Sequence, residues 1–239
     1  MLSNNEIPLN DLEPSSDDRV VIYRFDGKVY EIIRRSPSRF YKLKVVKYSR
    51  APTLEINGIH MHRIKDIDPW SDSYLKVRRA RVRRGDIVLD TCLGLGYTAL
   101  NALKQGARVV YSVEIDESVI WIAEHNPWSH GLVDDRIKIV QGDVVELVNQ
   151  FKDSFFDKII HDPPRYSGST GELYSLEFYN ELYRVLKPGG ILYHYTGEPR
   201  RHGSPSIVKG IGDRLRKTGF YPVIFDRKSM GYIAFKPII

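Results

Sequence analysis

The sequence predicts an α/β fold, in which a mostly parallel seven-stranded sheet with one antiparallel strand follows a small N-terminal β-rich appendage. From Gly85 onward, short apolar runs alternate with longer runs of helical periodicity, which is typical of a parallel sheet covered by helices on both faces. Residues 19–66 instead hold short runs of β-branched and aromatic residues, which favour antiparallel strands. We therefore expect a small β-rich domain at 19–66 and the larger α/β domain at 85–239.

Seven strands and five helices are predicted in the larger domain. The strands lie within residues 86–90, 109–116, 136–143, 156–165, 191–197, 221–228 and 231–239, and the helices within 100–107, 119–129, 144–151, 175–190 and 205–220. The last two strands should form a hairpin around residues 229–231, which makes one strand antiparallel. In the appendage, Asp26-Gly27 and Asn57-Gly58 are hairpin signals, because tight two-residue turns need positive φ.

The composition excludes several classes of protein. A chain of 239 residues that is 42% apolar can bury a core, and it is not wholly disordered. It has no run of 18 apolar residues and its first residues lack the pattern of a secretory signal, so we expect no membrane partner. Its one cysteine, Cys92, excludes an intramolecular disulfide and a cysteine-rich metal site. His60 and His62 alternate along one predicted strand but lack a third ligand, so we expect no metal. The single cysteine and the missing secretory signal favour a cytoplasmic protein.

The charge is unevenly placed along the chain. Residues 1–18 form an acidic leader with five acids and no base, whereas residues 19–84 carry 18 bases and six acids. Residues 67–84 are interpreted as a basic linker, and the remainder of the chain is close to neutral. A positive segment beside a neutral domain favours a polyanionic partner such as nucleic acid. A solvated basic surface or a subunit contact, as in a homodimer, is the alternative.

Four acids fall where predicted strands end: Asp90, Glu114, Asp143 and Asp162. Each residue alone is also explained as a helix cap or a turn residue. Because the carboxyl ends of parallel strands meet at one edge of a sheet, ligands bind there. We therefore expect the four carboxylates to surround one binding site.

A glycine loop follows the first of these strands. The spacing Gly94-x-Gly96-x-x-Ala99 formally fits a dinucleotide fingerprint, which makes NAD a competing cofactor. A pyrophosphate would, however, lie over Asp90, where repulsion between like charges disfavours it. Together with Asp143 and Asp162-Pro-Pro, this series resembles class I S-adenosylmethionine-dependent methyltransferases from about Gly85 to Ile239, which implies a Rossmann-like fold.

The resemblance implies a set of residues that bind S-adenosylmethionine. In it, Gly94 and Gly96 let the backbone approach the methionine part, Glu114 accepts bonds from the ribose hydroxyls, and Asp143 accepts the adenine amine. The complete set is Asp90, Thr91, Cys92, Gly94, Gly96, Tyr97, Thr98, Glu114, Ile115, Asp143, Val144 and Asp162.

The segment after the fourth strand carries the expected catalytic residues. Asp162-Pro163-Pro164-Arg165 resembles the Asn/Asp-Pro-Pro-aromatic motif of amino-group methyltransferases, in which polar acceptors hold the nucleophilic nitrogen. Here Arg165 takes the aromatic position and Tyr166 follows one place later, so Arg165 either stacks on a base or binds an anion. The resemblance implies a catalytic role for all five residues, whereas the simpler interpretation is that Pro-Pro stiffens a loop.

Two further resemblances bear on the reaction. The segments 67–76 and 125–129 and the longer motifs resemble a group of predicted archaeal methyltransferases. The small β domain, the segment 54–59 and the segment 177–192 also resemble spermidine synthases, which transfer aminopropyl from decarboxylated S-adenosylmethionine. Against the second, the first loop is TCLGLGYTA and not Gly-Gly-Gly-Asp-Gly-Gly. We expect a methyltransferase that acts on a nucleobase nitrogen of tRNA or rRNA, with aminopropyl transfer or non-catalytic cofactor binding as alternatives.

Overall fold

The N-terminal part of the chain forms two small antiparallel sheets. The computed structural model describes residues 13–23, 28–47, 49, 51–197 and 206–238. One sheet pairs β1 (Val21–Tyr23) with β2 (Val29–Glu31), and the other contains, in order, β3 (Ile33–Arg35), β4 (Phe40–Lys44), β5 (Thr53–Ile56) and β6 (Ile59–His60). Asn57 and Gly58 have φ of 49° and 79° and join β5 to β6, which confirms the hairpin expected there. The turn expected at Asp26-Gly27 lies outside the described residues.

A helix then leads into the central sheet. The elements are α1 (Pro69–Arg79), β7 (Ile87–Asp90), α2 (Tyr97–Lys104), β8 (Val109–Glu114), α3 (Glu117–His125), β9 (Ile137–Gln141), α4 (Val144–Leu147), β10 (Phe156–His161), α5 (Leu176–Val185), β11 (Leu186–Tyr195), α6 (Ser206–Thr218), β12 (Val223–Asp226) and β13 (Gly231–Phe235). The strands are ordered β12-β13-β11-β10-β7-β8-β9, and β13 alone runs opposite to the other six. This arrangement confirms the predicted fold class.

One predicted helix ends earlier than expected. The sequence placed a helix over 175–190, but α5 stops at Val185 and Leu186 already pairs with Phe156 of β10. Leu186 is fully buried, and Gly189 adopts a φ of 75° that a helix cannot continue. Burial of Leu186 in the sheet therefore outweighs its helical periodicity.

The N-terminal sheets share a hydrophobic core with the larger domain. Tyr41, Leu43 and Leu54 of the four-stranded sheet pack in one cluster with Tyr97 at the start of α2 and Ile122 of α3. A sheet of this size needs such a neighbour to be stable. The packing therefore holds the hairpin of β5 and β6 over the carboxyl ends of the parallel strands.

The segment expected to be a basic linker contains α1. Asp68 caps this helix by accepting the backbone N–H groups of Trp70 and Ser71, and Asp72 and Lys76 are buried on its inner face. The boundaries of leader, β domain, linker and catalytic domain remain predictions. Among the described residues, no helix has the length and the apolar content that crossing a membrane requires.

Candidate cofactor and acceptor site

A cavity of about 480 Å³ lies between the carboxyl ends of β7 to β10 and the hairpin of β5 and β6. From the sheet, it is lined by these residues of the predicted site: Thr91, Cys92, Gly94, Tyr97, Thr98, Glu114, Ile115, Asp143, Val144, Asp162, Pro163 and Pro164. The hairpin side contributes Leu54, Ile56, Ile59, Met61 and His62, which the sequence had not indicated. The strand-end carboxylates and the N-terminal sheet thus enclose one space.

Four predicted site residues do not line this cavity: Asp90, Gly96, Arg165 and Tyr166. Arg165 and Tyr166 directly follow Pro164, and Tyr166 is 54% exposed. The ring of Tyr166 lies edge-on to Tyr174, with 5.5 Å between the ring centroids. These two residues therefore lie outside the enclosed cavity, although they directly follow its lining residues in the sequence.

Asp90 is buried behind the first loop. Its Oδ2 accepts hydrogen bonds from Ser112 Oγ at 2.7 Å and from Thr98 Oγ1 at 2.9 Å, which joins β7 to β8 and to the first turn of α2. Its Oδ1 has no hydrogen-bond partner among the described residues. Burial raises the pKa of Asp90 to about 7, although both hydroxyl donors oppose the shift. Asp90 is thus fully enclosed and joins the elements behind the first loop, and it does not line the cavity.

The raised pKa makes Asp90 a pH-dependent cost to folding. The unfolded chain releases this proton near pH 3.8 and the folded chain near about 7, so wild-type stability falls as the pH rises through that window. Asn does not titrate, so Asp90→Asn should gain stability over wild type by about 1.4 kcal/mol per pH unit within it. Urea unfolding at several pH values measures the difference, and a difference independent of pH would contradict the assignment.

Glu114 orients the loop that follows β8. Its Oε2 accepts the backbone N–H of Gly94 at 3.1 Å and its Oε1 accepts that of Asp116 at 3.1 Å. Burial raises the pKa of Glu114, and these backbone donors counteract part of the rise. Each carboxylate oxygen can accept a further bond, so a vicinal diol in the cavity fits this side chain.

The N-terminal sheet is fastened to the same loop through Asp116. The Asp116 Oδ2 atom accepts hydrogen bonds from Tyr41 Oη at 2.6 Å and from Arg39 Nη1 at 2.9 Å, while Oδ1 caps α3 at Ser118. Arg39 also lines the cavity. In the sequence, the only hint of this contact is that Arg39 and Tyr41 alternate with Phe40 and so lie on one face of the chain as it enters β4.

Asp143 caps the short helix α4. Its Oδ1 accepts the backbone N–H of Val145 at 2.8 Å, which corresponds to the helix-cap interpretation of this residue. Because Asp143 and Val144 also line the cavity opposite the first loop, the cap leaves both next to any bound ring.

The two glycines of the first loop differ in what they do. Gly94 (φ 52°) lines the cavity, and a Cβ added there would meet nothing within 4 Å. Gly96 (φ 74°) caps α2, and its Cβ would lie 2.6 Å from Leu132 Cδ2. Gly96 does not line the cavity, and both its positive φ and the nearby Leu132 side chain favour glycine there, so its contact with a cofactor stays a prediction.

Gly96→Ala should therefore lower the free energy of unfolding by about 1–3 kcal/mol, because it adds both backbone strain and a steric overlap. Gly94→Ala is the matched control, since it carries the strain alone. Urea unfolding of both variants measures the difference. Equal stability of the two would show that Leu132 gives way without cost.

Asp162 lines the cavity and lies beside a lysine that the sequence did not indicate. Lys76 Nζ of α1 is 2.7 Å from Asp162 Oδ2 and 2.9 Å from Asp72 Oδ2. The spacing of Asp72 and Lys76, four residues apart in a helical pattern, is the only local signal for this pair. The contact between Lys76 and Asp162 depends on how α1 packs against the sheet.

Two further groups that line the cavity are neutral at physiological pH. Burial raises the pKa of the Cys92 thiol well above its usual range, so this thiol is a poor nucleophile. Burial and the charge of Lys76 lower the pKa of His62 to about 3. Within the described part of the chain, no group of three His, Cys, Asp or Glu side chains is arranged to hold a metal ion.

Much of the positive charge of residues 19–84 is paired with acids. Its ion pairs include Arg34–Glu117, Arg39–Asp116, Lys42–Glu55, Lys44–Glu55, Arg63–Asp72, Lys76–Asp162 and Arg79–Asp226. The exposed residues Arg81, Arg83 and Arg84 precede β7, so they lie at its amino end, whereas the cavity is at its carboxyl end. Some of the basic residues therefore connect the N-terminal sheets and α1 to the rest of the fold through ion pairs. Others, including Arg81, Arg83 and Arg84, form an exposed basic surface.

The geometry fits an adenosyl sulfonium compound. Glu114 offers acceptor oxygens that suit a ribose, and Asp143 and Val144 line the same cavity, where an adenine ring would fit beside them. The first turn of α2, which has no side-chain cap, adds backbone N–H groups at the same edge.

Comparison with known proteins agrees with this arrangement. The model of the spermine/spermidine synthase domain matches residues 96–220. The uncharacterized protein MJ1233 of Methanocaldococcus jannaschii is 43% identical over 224 residues, which cover 93% of this chain and 76% of that protein. Ribosomal RNA large subunit methyltransferase I of Photobacterium profundum is 31% identical over 128 residues, or 50% of this chain and 32% of that protein.

Solved structures show the same fold. A spermidine synthase in complex with the transition-state analogue AdoDATO superposes with a TM-score of 0.68 at 22% identity, covering 95% of this chain and 83% of that one. A protein of Methanococcus maripaludis assigned to the S-adenosyl-L-methionine-dependent methyltransferases superposes with a TM-score of 0.52 at 19% identity, covering 70% of this chain and 86% of that one. The fold is thus Rossmann-like, and the chain belongs to the spermine/spermidine synthase domain family.

Proposed function

We propose that this protein is an S-adenosylmethionine-dependent methyltransferase that acts in the cytoplasm on a nucleobase nitrogen of tRNA or rRNA. The observation that carries the proposal is the position of Asp162-Pro163-Pro164 in one cavity with Gly94 and Glu114. A carboxylate beside two rigid prolines can hold an amino group while the cofactor occupies the rest of the space.

The first loop favours the complete cofactor over its decarboxylated form. Residues 91–96 carry no acidic side chain, and Tyr97 and Thr98 bring the first turn of α2 to the cavity. The amino end of a helix stabilises a carboxylate through its partial positive charge and its unpaired N–H groups. S-adenosylmethionine has that carboxylate, whereas decarboxylated S-adenosylmethionine does not.

The protein's own residues would act mainly by positioning. The bound cofactor supplies an electrophilic methyl group on a sulfonium centre. Asp162 would accept a hydrogen bond from the N–H of the acceptor and so aim the lone pair of that nitrogen at the methyl group. It would also take up the proton that the nitrogen releases. The apolar hairpin side, which includes Leu54, Ile59 and Met61, would exclude water from the reacting groups.

An RNA acceptor is supported by two observations outside the cavity. Arg165 and Tyr166 lie next to the catalytic segment and beyond the enclosed space, where a base can stack on either side chain. The ribosomal RNA methyltransferases that match half of this chain give the same substrate class. The matched residues span about a third of the Photobacterium profundum protein.

Aminopropyl transfer is the second candidate. The structural likeness to spermidine synthase extends over 95% of this chain and so includes the N-terminal sheets, whereas the methyltransferase likeness covers 70%. In this reaction Asp162 would hold the amine that attacks the aminopropyl carbon.

One experiment separates the two candidates. The purified protein is incubated with S-adenosylmethionine labelled in its methyl group, together with total RNA, and separately with decarboxylated S-adenosylmethionine and putrescine. Label in RNA supports the proposal, and its position in the digested nucleosides identifies the base. Aminopropylated putrescine with unlabelled RNA establishes the second candidate, and label in protein alone overturns both.

A further inference from the structure

Lys76 is a buried cation that lies behind the cavity wall. Its side chain is only 2% exposed and does not line the cavity, yet its ammonium lies 2.7 Å from the carboxylate of Asp162, which does. The same ammonium lies 4.0 Å from the centroid of the Tyr195 ring, on the side of β11. Lys76 therefore cannot touch an acceptor and can act only through Asp162.

Lys76 belongs to a chain of four charged side chains. Arg63 donates to Asp72 Oδ1 at 2.9 Å and to the carbonyl oxygen of Lys228 at 3.1 Å, and Lys76 connects Asp72 to Asp162. The chain runs from the turn between β12 and β13, through α1, to the segment after β10. Two cations and two carboxylates compensate one another, so no net charge is buried.

The charges around Asp162 decide its protonation. Burial raises the pKa of the Asp162 carboxyl, Lys76 lowers it, and Asp72 raises it slightly. Burial by itself lowers the pKa of Lys76. The opposing effect of Asp162 and Asp72 is larger in sum, so the pKa of Lys76 lies above its usual value, with smaller contributions from Tyr195 and Tyr193. An ammonium at this position favours the ionised form of Asp162 over its protonated form, since removing the ammonium would leave a buried carboxylate without a counter-ion.

We propose that Lys76 is a positioning residue that keeps Asp162 ionised and binds its Oδ2 atom, so that the acceptor nitrogen meets a fixed carboxylate oxygen. The inference rests on the proposed function in one respect, namely that Asp162 holds the acceptor. Because the cluster is neutral overall, it suits an uncharged amino group better than an ammonium ion, which would be desolvated without a net counter-charge. The aromatic amine of a nucleobase has this property.

The test uses five variants of the full chain, one of which is Asp162→Asn alone. Lys76→Met removes the charge, Lys76→Arg keeps it, and Lys76→Met/Asp162→Asn removes both partners so that no uncompensated acid remains. Arg79→Met is the matched control, because Arg79 lies on the same helix and its Nε is 2.8 Å from Asp226 Oδ2. Neither Arg79 nor Asp226 lines the cavity. If Lys76→Met does not fold, Lys76→Gln takes its place, because it also removes the charge while keeping Asp162.

The first readout does not depend on any substrate. Infrared difference spectra near neutral pH should show one additional protonated carboxyl group in Lys76→Met, which disappears in the double variant and is absent in Lys76→Arg and Arg79→Met. A spectrum of Lys76→Met without that group overturns the proposal, whether or not the protein proves to be a methyltransferase.

The second readout is turnover. Lys76→Met should lower kcat by about 10²-fold with an unchanged Kd for S-adenosylhomocysteine, and Lys76→Arg should recover part of the loss. The double variant should be no slower than Asp162→Asn alone, because Lys76 acts through Asp162. Independent, multiplicative losses would overturn the proposal. If no acceptor is methylated by wild type, the proposed function fails while the infrared result still decides the role of Lys76.

Discussion

Asp162→Asn should lower kcat for methyl transfer by about 10²–10⁴-fold, because the amide can neither take up a proton nor offer two acceptor oxygens. One face of Asp162 already binds the Lys76 ammonium, at 2.7 Å, so the Asn amide group must turn its donor either toward that ammonium or toward the acceptor. Single-turnover kinetics with labelled S-adenosylmethionine measures the loss. The Kd for the cofactor should change little, since in the proposed reaction Asp162 contacts the acceptor.

Asp135→Asn is the matched control for this prediction. Asp135 is exposed and does not line the cavity, so the same chemical change should leave turnover as it is. Circular dichroism checks that both variants fold. A rate for Asp162→Asn within about tenfold of wild type would exclude Asp162 as the group that holds and deprotonates the acceptor.

Glu114→Gln is expected to weaken binding of S-adenosylmethionine by about 10–100-fold. Hydrogen bonds to a charged group contribute about 1.5–3 kcal/mol, and 1.4 kcal/mol corresponds to tenfold in Kd. The carboxylate also accepts the backbone N–H groups of Gly94 and Asp116, and the amide nitrogen of Gln would present a donor to one of them. The substitution should therefore weaken the contact to the ribose and also disturb the conformation of the first loop.

Isothermal titration with S-adenosylmethionine and S-adenosylhomocysteine measures this loss. Glu117→Gln serves as its control, because Glu117 lies three residues further on, pairs with Arg34 and has a side chain that is 71% exposed. Equal affinities for the wild type and Glu114→Gln would place the ribose elsewhere. A loss that is as large in Glu117→Gln would mean that charge near α3, and not the contact of Glu114, determines affinity.

Most of the fold could be predicted because it follows from local patterns. Alternation of buried strands with amphipathic helices is visible in the sequence, and so is the hairpin signal at Asn57-Gly58. The boundary of α5 was missed because Leu186 fits either a helix or a strand by its local pattern. Its pairing with Phe156, thirty positions away, decides between them.

The candidate site was predictable only in part. Topology brings the ends of parallel strands together whatever their side chains, so Glu114, Asp143 and Asp162 could be placed at one edge from sequence alone. Gly96 looked like a cofactor contact, but Leu132 packs where its Cβ would lie. The charge excess of residues 19–84 looked like a docking surface, but part of it consists of ion pairs to distant acids.

By itself, the sequence determined the α/β class, the strand-end carboxylates and the resemblance to enzymes that use S-adenosylmethionine. Only the tertiary structure decided that the hairpin of β5 and β6 encloses the cavity, and that Lys76 reaches Asp162 across 86 positions of the chain. The physical reason is the range of each interaction. Periodicity and turn chemistry act between near neighbours and are legible in the sequence, whereas a buried ion pair depends on how a helix and a sheet pack after the chain has folded.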